Sequence, residues 1–92
     1  MRKVIDYGCT EPFGIIEVRC PQTKFLVTPQ DACSDPNFFC TFSNGKCKLK
    51  EDHAYYAQVQ GQMAITGTKW CDFVVYTQKG LSIERIPFNS EY

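Results

Sequence analysis

Glu17 and Arg19 stand two residues apart in the stretch Gly14-Ile15-Ile16-Glu17-Val18-Arg19-Cys20-Pro21. A carboxylate and a guanidinium so close together can pair with each other or present opposite charges to a shared site. Alternation along a strand puts both side chains on one face. Desolvating such a pair among Ile15, Ile16 and Val18 is costly, which suggests that the two face a cleft. From these residues alone, the commoner reading is an ordinary surface salt bridge on the open side of a sheet.

A second group lies in Asp52-His53-Ala54-Tyr55-Tyr56-Ala57-Gln58-Val59-Gln60-Gly61-Gln62-Met63. In a helix, Gln58 and Gln62 share a face with Ala54 and Tyr55. Amides and a phenol so placed could meet phosphates or bases, although a half-exposed amphipathic helix has the same pattern. Lys46, Lys48 and Lys50 precede it and could make salt-sensitive phosphate contacts, or form a solvated loop.

Elements able to position these groups can be read along the chain. Val4-Ile5 ends or begins a strand, and Tyr7 to Pro12 is turn-like. Phe13 to Cys20, between Pro12 and Pro21, reads as a buried strand. Thr28 and Pro29 predict an N-cap and first position of a short helix, broken by Ser34-Asp35-Pro36-Asn37. Phe38 to Phe42 is ambiguous. Ser43-Asn44-Gly45-Lys46 predicts a turn between two short strands.

Asp52 is the expected N-cap of the longest helix. Its buried side should carry Tyr56, Val59, Met63 and Ala64. Gly67 is expected to end it. Strands follow from about Lys69 to Thr77 and from Leu81 to Ile86, joined by Gln78-Lys79-Gly80. This order predicts α/β or α+β layers, a mixed sheet packed by one long helix.

The bulk properties bound the class. The chain has 92 residues, 43% hydrophobic and 14% aromatic, which suits one domain with a packed core. Ten acidic residues balance ten basic ones, so nucleic-acid contact would need a local basic patch. No run is long and apolar enough to span a membrane, so no membrane partner is expected. Met1 to Asp6 begins like a signal peptide but lacks its apolar core. The expected address is therefore intracellular, where disulfides are rare, and nuclear in a eukaryote. Six cysteines are expected mainly as buried thiols. The even spacing of Cys33, Cys40 and Cys47 leaves a small thiol–metal module open, although no Cys-x-x-Cys pair is present.

The segments Gly14–Pro21 and Ala54-Tyr55-Tyr56-Ala57-Gln58-Val59-Gln60 together resemble the YqaJ-like viral recombinase family. That family includes the phage lambda-type exonucleases of the PD-(D/E)xK nuclease superfamily. Its motifs read like Gly-Leu-Leu-Glu-Ile-Lys-Cys-Pro and Tyr-x-x-Gln-Val-Gln. Trp70 to Thr77 and Glu84-Arg85-Ile86 look like its closing strands, so the resemblance spans nearly the whole chain.

The resemblance implies a restriction-endonuclease-like core and an exonuclease acting on duplex DNA with a free end. It implies Mg²⁺ (or Mn²⁺), with Glu17 as a metal ligand and the Val18 carbonyl as a second. Gln58 would stand beside the site, and Tyr55 matches a tyrosine of the same helix. A single-strand annealing protein and a homo-oligomer are the implied partners. Two departures stand out. The family's lysine is Arg19, and its Pro-Asp aspartate would fall at Met1 or just before it, with Asp6 the only nearby substitute. The family's N-terminal helical part is also missing. The chain is therefore expected to be one partial domain over 1–92, the C-terminal part of a nuclease, truncated or degenerate. The alternative is a catalytically inactive nuclease-like module that binds DNA or protein.

Overall fold

The computed structural model describes residues 2–92. The first strand, β1 (Arg2–Ile5), runs antiparallel to β2 (Phe13–Arg19). A 3-10 turn over Gln22–Lys24 and a short helix, α1 (Pro29–Ala32), follow. The hairpin of β3 (Cys40–Ser43) and β4 (Lys46–Leu49) forms a separate two-stranded sheet. The long helix α2 (Ala54–Thr66) leads into β5 (Trp70–Thr77), which turns back as β6 (Gly80–Pro87).

The main sheet has the order β1-β2-β5-β6. The central pair β2 and β5 is parallel, and both outer pairs are antiparallel. A parallel pair needs a crossover, and here α2 supplies its return leg. The expected mixed sheet packed by one long helix is therefore present.

Local chemistry explains the breaks between elements. Thr28 caps α1 as expected: its hydroxyl accepts a bond from the Asp31 amide at 3.1 Å. Asn44 and Gly45 both have positive φ, 51° and 77°, a turn geometry that matches the twist of the flanking strands. Gly67 takes the left-handed conformation at φ 72°, and its amide donates to the Met63 carbonyl at 2.9 Å. The cap of α2 corrects the sequence expectation. His53, not Asp52, is the N-cap, its Nδ1 accepting from the Tyr55 amide at 3.0 Å.

The core lies between α2 and one face of the sheet. Ile15, Val59, Met63, Cys71, Phe73 and Val75 are its buried centre. The buried positions of α2 are Tyr56, Val59, Gln60 and Met63. Ala64 is exposed, contrary to expectation, and Gln60 is buried instead. The reason is a specific clamp: the Gln60 amide donates to the Pro87 carbonyl at 3.0 Å and accepts from the Asn89 amide at 2.8 Å. Both bonds satisfy a carboxamide that burial would otherwise penalise. The opposite face of the sheet leaves Val18, Tyr76, Leu81 and Ile83 exposed. No described helix is long and apolar enough to cross a membrane.

Candidate functional site

Register fixes which side of the sheet Glu17 occupies. Glu17 pairs with Phe73 and Arg19 with Val75 across the parallel β2–β5 ladder. Phe73 and Val75 belong to the core, so Glu17 and Arg19 project toward α2. Glu17 is only 3% exposed. The pair is therefore not a salt bridge on the open side of the sheet, nor does Glu17 line an open cleft.

Arg19 organises the site. Its Nη1 lies 2.8 Å from Glu17 Oε2. Nη2 donates to Gln58 Oε1 at 3.2 Å, and Nη1 also donates to the Val18 carbonyl at 3.3 Å. The guanidinium carbon sits 4.5 Å from the centre of the Tyr55 ring, a cation–π distance. Tyr55 is steadied by aromatic neighbours: Phe39 meets it edge-on at 5.1 Å and His53 at 4.6 Å. Phe39 and His53 are supporting residues that sequence reasoning missed. The isolated Phe38-Phe39 pair was the signal available for one of them.

The electrostatics fit an ionised acid. Burial pushes the Glu17 carboxyl upward, but hydrogen bonding and positive charge around it, including the Arg19 guanidinium, hold it below its usual value. The neighbouring Cys71 thiol is pushed up to about 12, first by burial and then by the charges of Glu17 and Asp72. Cys71 is thus a packed thiol and no nucleophile.

Five sequence-predicted residues come together: Glu17, Val18 through its carbonyl, Arg19, Tyr55 and Gln58. Lys46, Lys48 and Lys50 have other neighbours. Lys46 and Lys48 line a hollow beside β6 with Glu84 and Arg85, and Lys50 Nζ donates to the Pro36 carbonyl at 2.6 Å.

Asp6 is not a substitute acid for the site. Its carboxylate lies 2.9 Å from Arg85 Nη1. Arg85 also grips Asp72 with Nε at 2.8 Å and Nη2 at 3.0 Å, and stacks on Trp70 at 3.8 Å. Asp72 alternates with Phe73 along β5, so this cluster occupies the face opposite Glu17. The sequence held one clue to it. Counting back from the Thr77–Gly80 turn puts Asp72 across from Arg85.

The oxygens that the site could offer a cation are the Glu17 carboxylate and the Val18 carbonyl, both engaged by Arg19 Nη1. Gln62 Oε1 is buried and has no hydrogen-bond partner among the described residues. Oxygen donors are the type that a hard divalent ion such as Mg²⁺ prefers. Among the described residues there is no cluster of three or more His, Cys, Asp or Glu side chains able to hold a metal. That includes Cys33, Cys40 and Cys47, although Cys33 and Cys47 are hydrogen-bonded and both act on Cys40. The chain matches no family model, no curated protein and no solved structure.

Proposed function

We propose that the Glu17 site is the remnant or working core of a metal-dependent DNA exonuclease of the YqaJ-like viral recombinase type. The single observation that carries the reading is the convergence of Glu17, Arg19, Tyr55 and Gln58. These residues come from the two separate segments that resemble that family, 39 positions apart at Arg19 and Gln58. The crossover from β2 through α2 to β5 supports a restriction-endonuclease-like core, because it sets the acid strand against the glutamine helix.

A bound Mg²⁺ would supply a more acidic water for attack on phosphorus. Glu17 and the Val18 carbonyl would hold the ion. Gln58 and Tyr55 hold the Arg19 guanidinium over the site, where it can bind a phosphate oxygen. A guanidinium in the place of the family's lysine would stabilise negative charge and would not serve as a base.

The test uses linear duplex DNA with Mg²⁺ or Mn²⁺ and three proteins: the chain itself, Glu17→Gln and Arg19→Lys. The expected result is metal-dependent digestion from DNA ends that Arg19→Lys raises and Glu17→Gln reduces to background. No digestion by folded Arg19→Lys protein, or digestion indifferent to Glu17, overturns the reading.

A second reading is an inactive nuclease-like module that binds DNA or protein. One observation favours it: Arg19 already neutralises the only carboxylate among the site's described residues. It predicts retention of DNA without cleavage and indifference of that retention to Glu17→Ala.

A further inference from the structure

Cysteines gather where α1 packs against the β3–β4 hairpin. Cys33 is the C-cap of α1, and its amide donates to the Pro29 and Gln30 carbonyls at 3.1 and 3.2 Å. These bonds fix its backbone beside the buried Ala32. Cys47 shares the buried face of β4 with Leu49. Cys40 begins β3 on the same face of the hairpin, opposite Leu49.

Register decides which two of them can join. Cys40 pairs with Leu49 and Cys47 with Phe42, so Cys40 and Cys47 are diagonal neighbours. Such neighbours stand about 7–8 Å apart, too far for a disulfide in an unmoved backbone. Cys33 reaches Cys47 from outside the sheet, and the two thiols are hydrogen-bonded. Cys47 also lines two hollows, the one beside β6 and a second of about 380 Å³ next to Pro29 and Gly80. A small oxidant has room in either.

We propose that Cys33 and Cys47 form a reversible oxidation site, joined by a peroxide as an intrachain disulfide that staples the end of α1 to β4. The Cys47 thiolate attacks the peroxide, forming an S–O bond as the O–O bond breaks, and hydroxide leaves. The Cys33 sulfur then displaces the hydroxyl from Cys47, forming the S–S bond and losing its proton to the departing oxygen as water. In sum, two thiols and one hydrogen peroxide give one disulfide and two waters. The sulfurs lose two electrons and the peroxide gains them. Burial first, and then hydrogen bonding to Cys47, keep the Cys33 thiol protonated, which suits it to the second step. A protonated partner also makes that step slow, so the bond answers sustained oxidation and not a brief pulse. A dithiol reductant restores both thiols by exchange. The nuclease reading is not needed for any of this.

The test is prolonged exposure of the reduced, folded chain to hydrogen peroxide, followed by alkylation of the remaining thiols and mass mapping of disulfide-linked peptides. The proteins are the unmodified chain, Cys33→Ser and Cys40→Ala. The expected product is a Cys33–Cys47 link, kept in Cys40→Ala, lost in Cys33→Ser and reversed by dithiothreitol. In urea, where the fold no longer selects a partner, links of Cys40 to Cys33 and to Cys47 should appear beside it. The oxidised chain should keep its circular dichroism spectrum and gain in thermal midpoint, because the link restrains the unfolded chain. Mapping of the unmodified chain decides the matter even if a variant fails to fold. Oxidation of the exposed Cys20 with no Cys33–Cys47 link overturns the proposal. So does a dominant link to Cys40, or a lower thermal midpoint on oxidation.

Discussion

Arg19 Nη1 and Glu17 Oε2 are 2.8 Å apart beneath α2, with Glu17 buried and Arg19 partly open to solvent. Removing either partner leaves the other exposed to a different penalty. Glu17→Ala should destabilise the fold by about 1–3 kcal/mol, the usual cost of stranding a charge-assisted partner. Arg19→Ala should cost more, because Glu17 would remain as a buried carboxylate with less positive charge beside it. Urea midpoints of the two variants check the order.

The same acid sets a pH dependence. Glu17 titrates below its usual value in the folded chain, so its contribution is complete above the ordinary glutamate range, about 4.3, and fades as pH falls through the folded value. Glu84 has the opposite sign. Burial raises its carboxyl, with the Leu49 amide bond and Lys48 only partly offsetting this, so its contribution is present at low pH and lost as pH rises through the folded value. Thermal midpoints between about pH 3 and pH 7 should show a shallower acid loss in Glu17→Gln and a steeper one in Glu84→Gln. Identical slopes would contradict both assignments.

Gly14 is a steric requirement of the open sheet face. A Cβ there would lie 2.3 Å from the Trp70 ring. Trp70 cannot retreat easily, since Nε1 donates to the Glu11 carbonyl at 2.6 Å and Arg85 covers the ring at 3.8 Å. Gly14→Ala should therefore cost about 1–3 kcal/mol by overpacking. Trp70 is the only tryptophan, so its emission reports the displacement directly.

Gln60→Ala should cost about 1–3 kcal/mol, because the Pro87 carbonyl and the Asn89 amide lose their shared partner. The loss should appear as faster amide exchange at Asn89, ahead of global unfolding.

Thiol reactivity should be graded by burial. Cys20 is exposed, whereas burial, hydrogen bonding to Cys47 and the charge of Cys47 push the Cys33 thiol up to about 12. Burial also raises Cys40 and Cys71. An Ellman titration at neutral pH should find Cys20 fast, with Cys40 and Cys71 silent until the chain is denatured. Equal rates would contradict the burial of Cys40 and Cys71.

Much of this fold was legible in local chemistry. Thr28-Pro29, Asn44-Gly45 and Gly67 each announce a cap or turn whose geometry depends on a few adjacent atoms. The Glu17–Arg19 face and the Tyr55–Gln58 face were legible as separate stripes. Their meeting depends on a crossover that spacing alone does not encode. Asp52 was favoured as the cap because carboxylates commonly cap helices, but the His53 nitrogen lies nearer the open amides. Gln60 was unreadable, since its partners Pro87 and Asn89 lie beyond β5. The Asp6–Arg85 pair, 79 positions apart, was hidden for the same reason.

The pairing of Glu17 with Phe73 has a discrete character. A slip of β2 by one residue against β5 would turn every side chain of the strand over. Ile16 and Val18 would then lie under α2, and Glu17 and Arg19 would stand in solvent beside Trp70. No intermediate degree of damage exists between those two alignments. Variation that loosens β2 should thus produce mixtures of intact and siteless molecules, not a population of uniformly weakened ones.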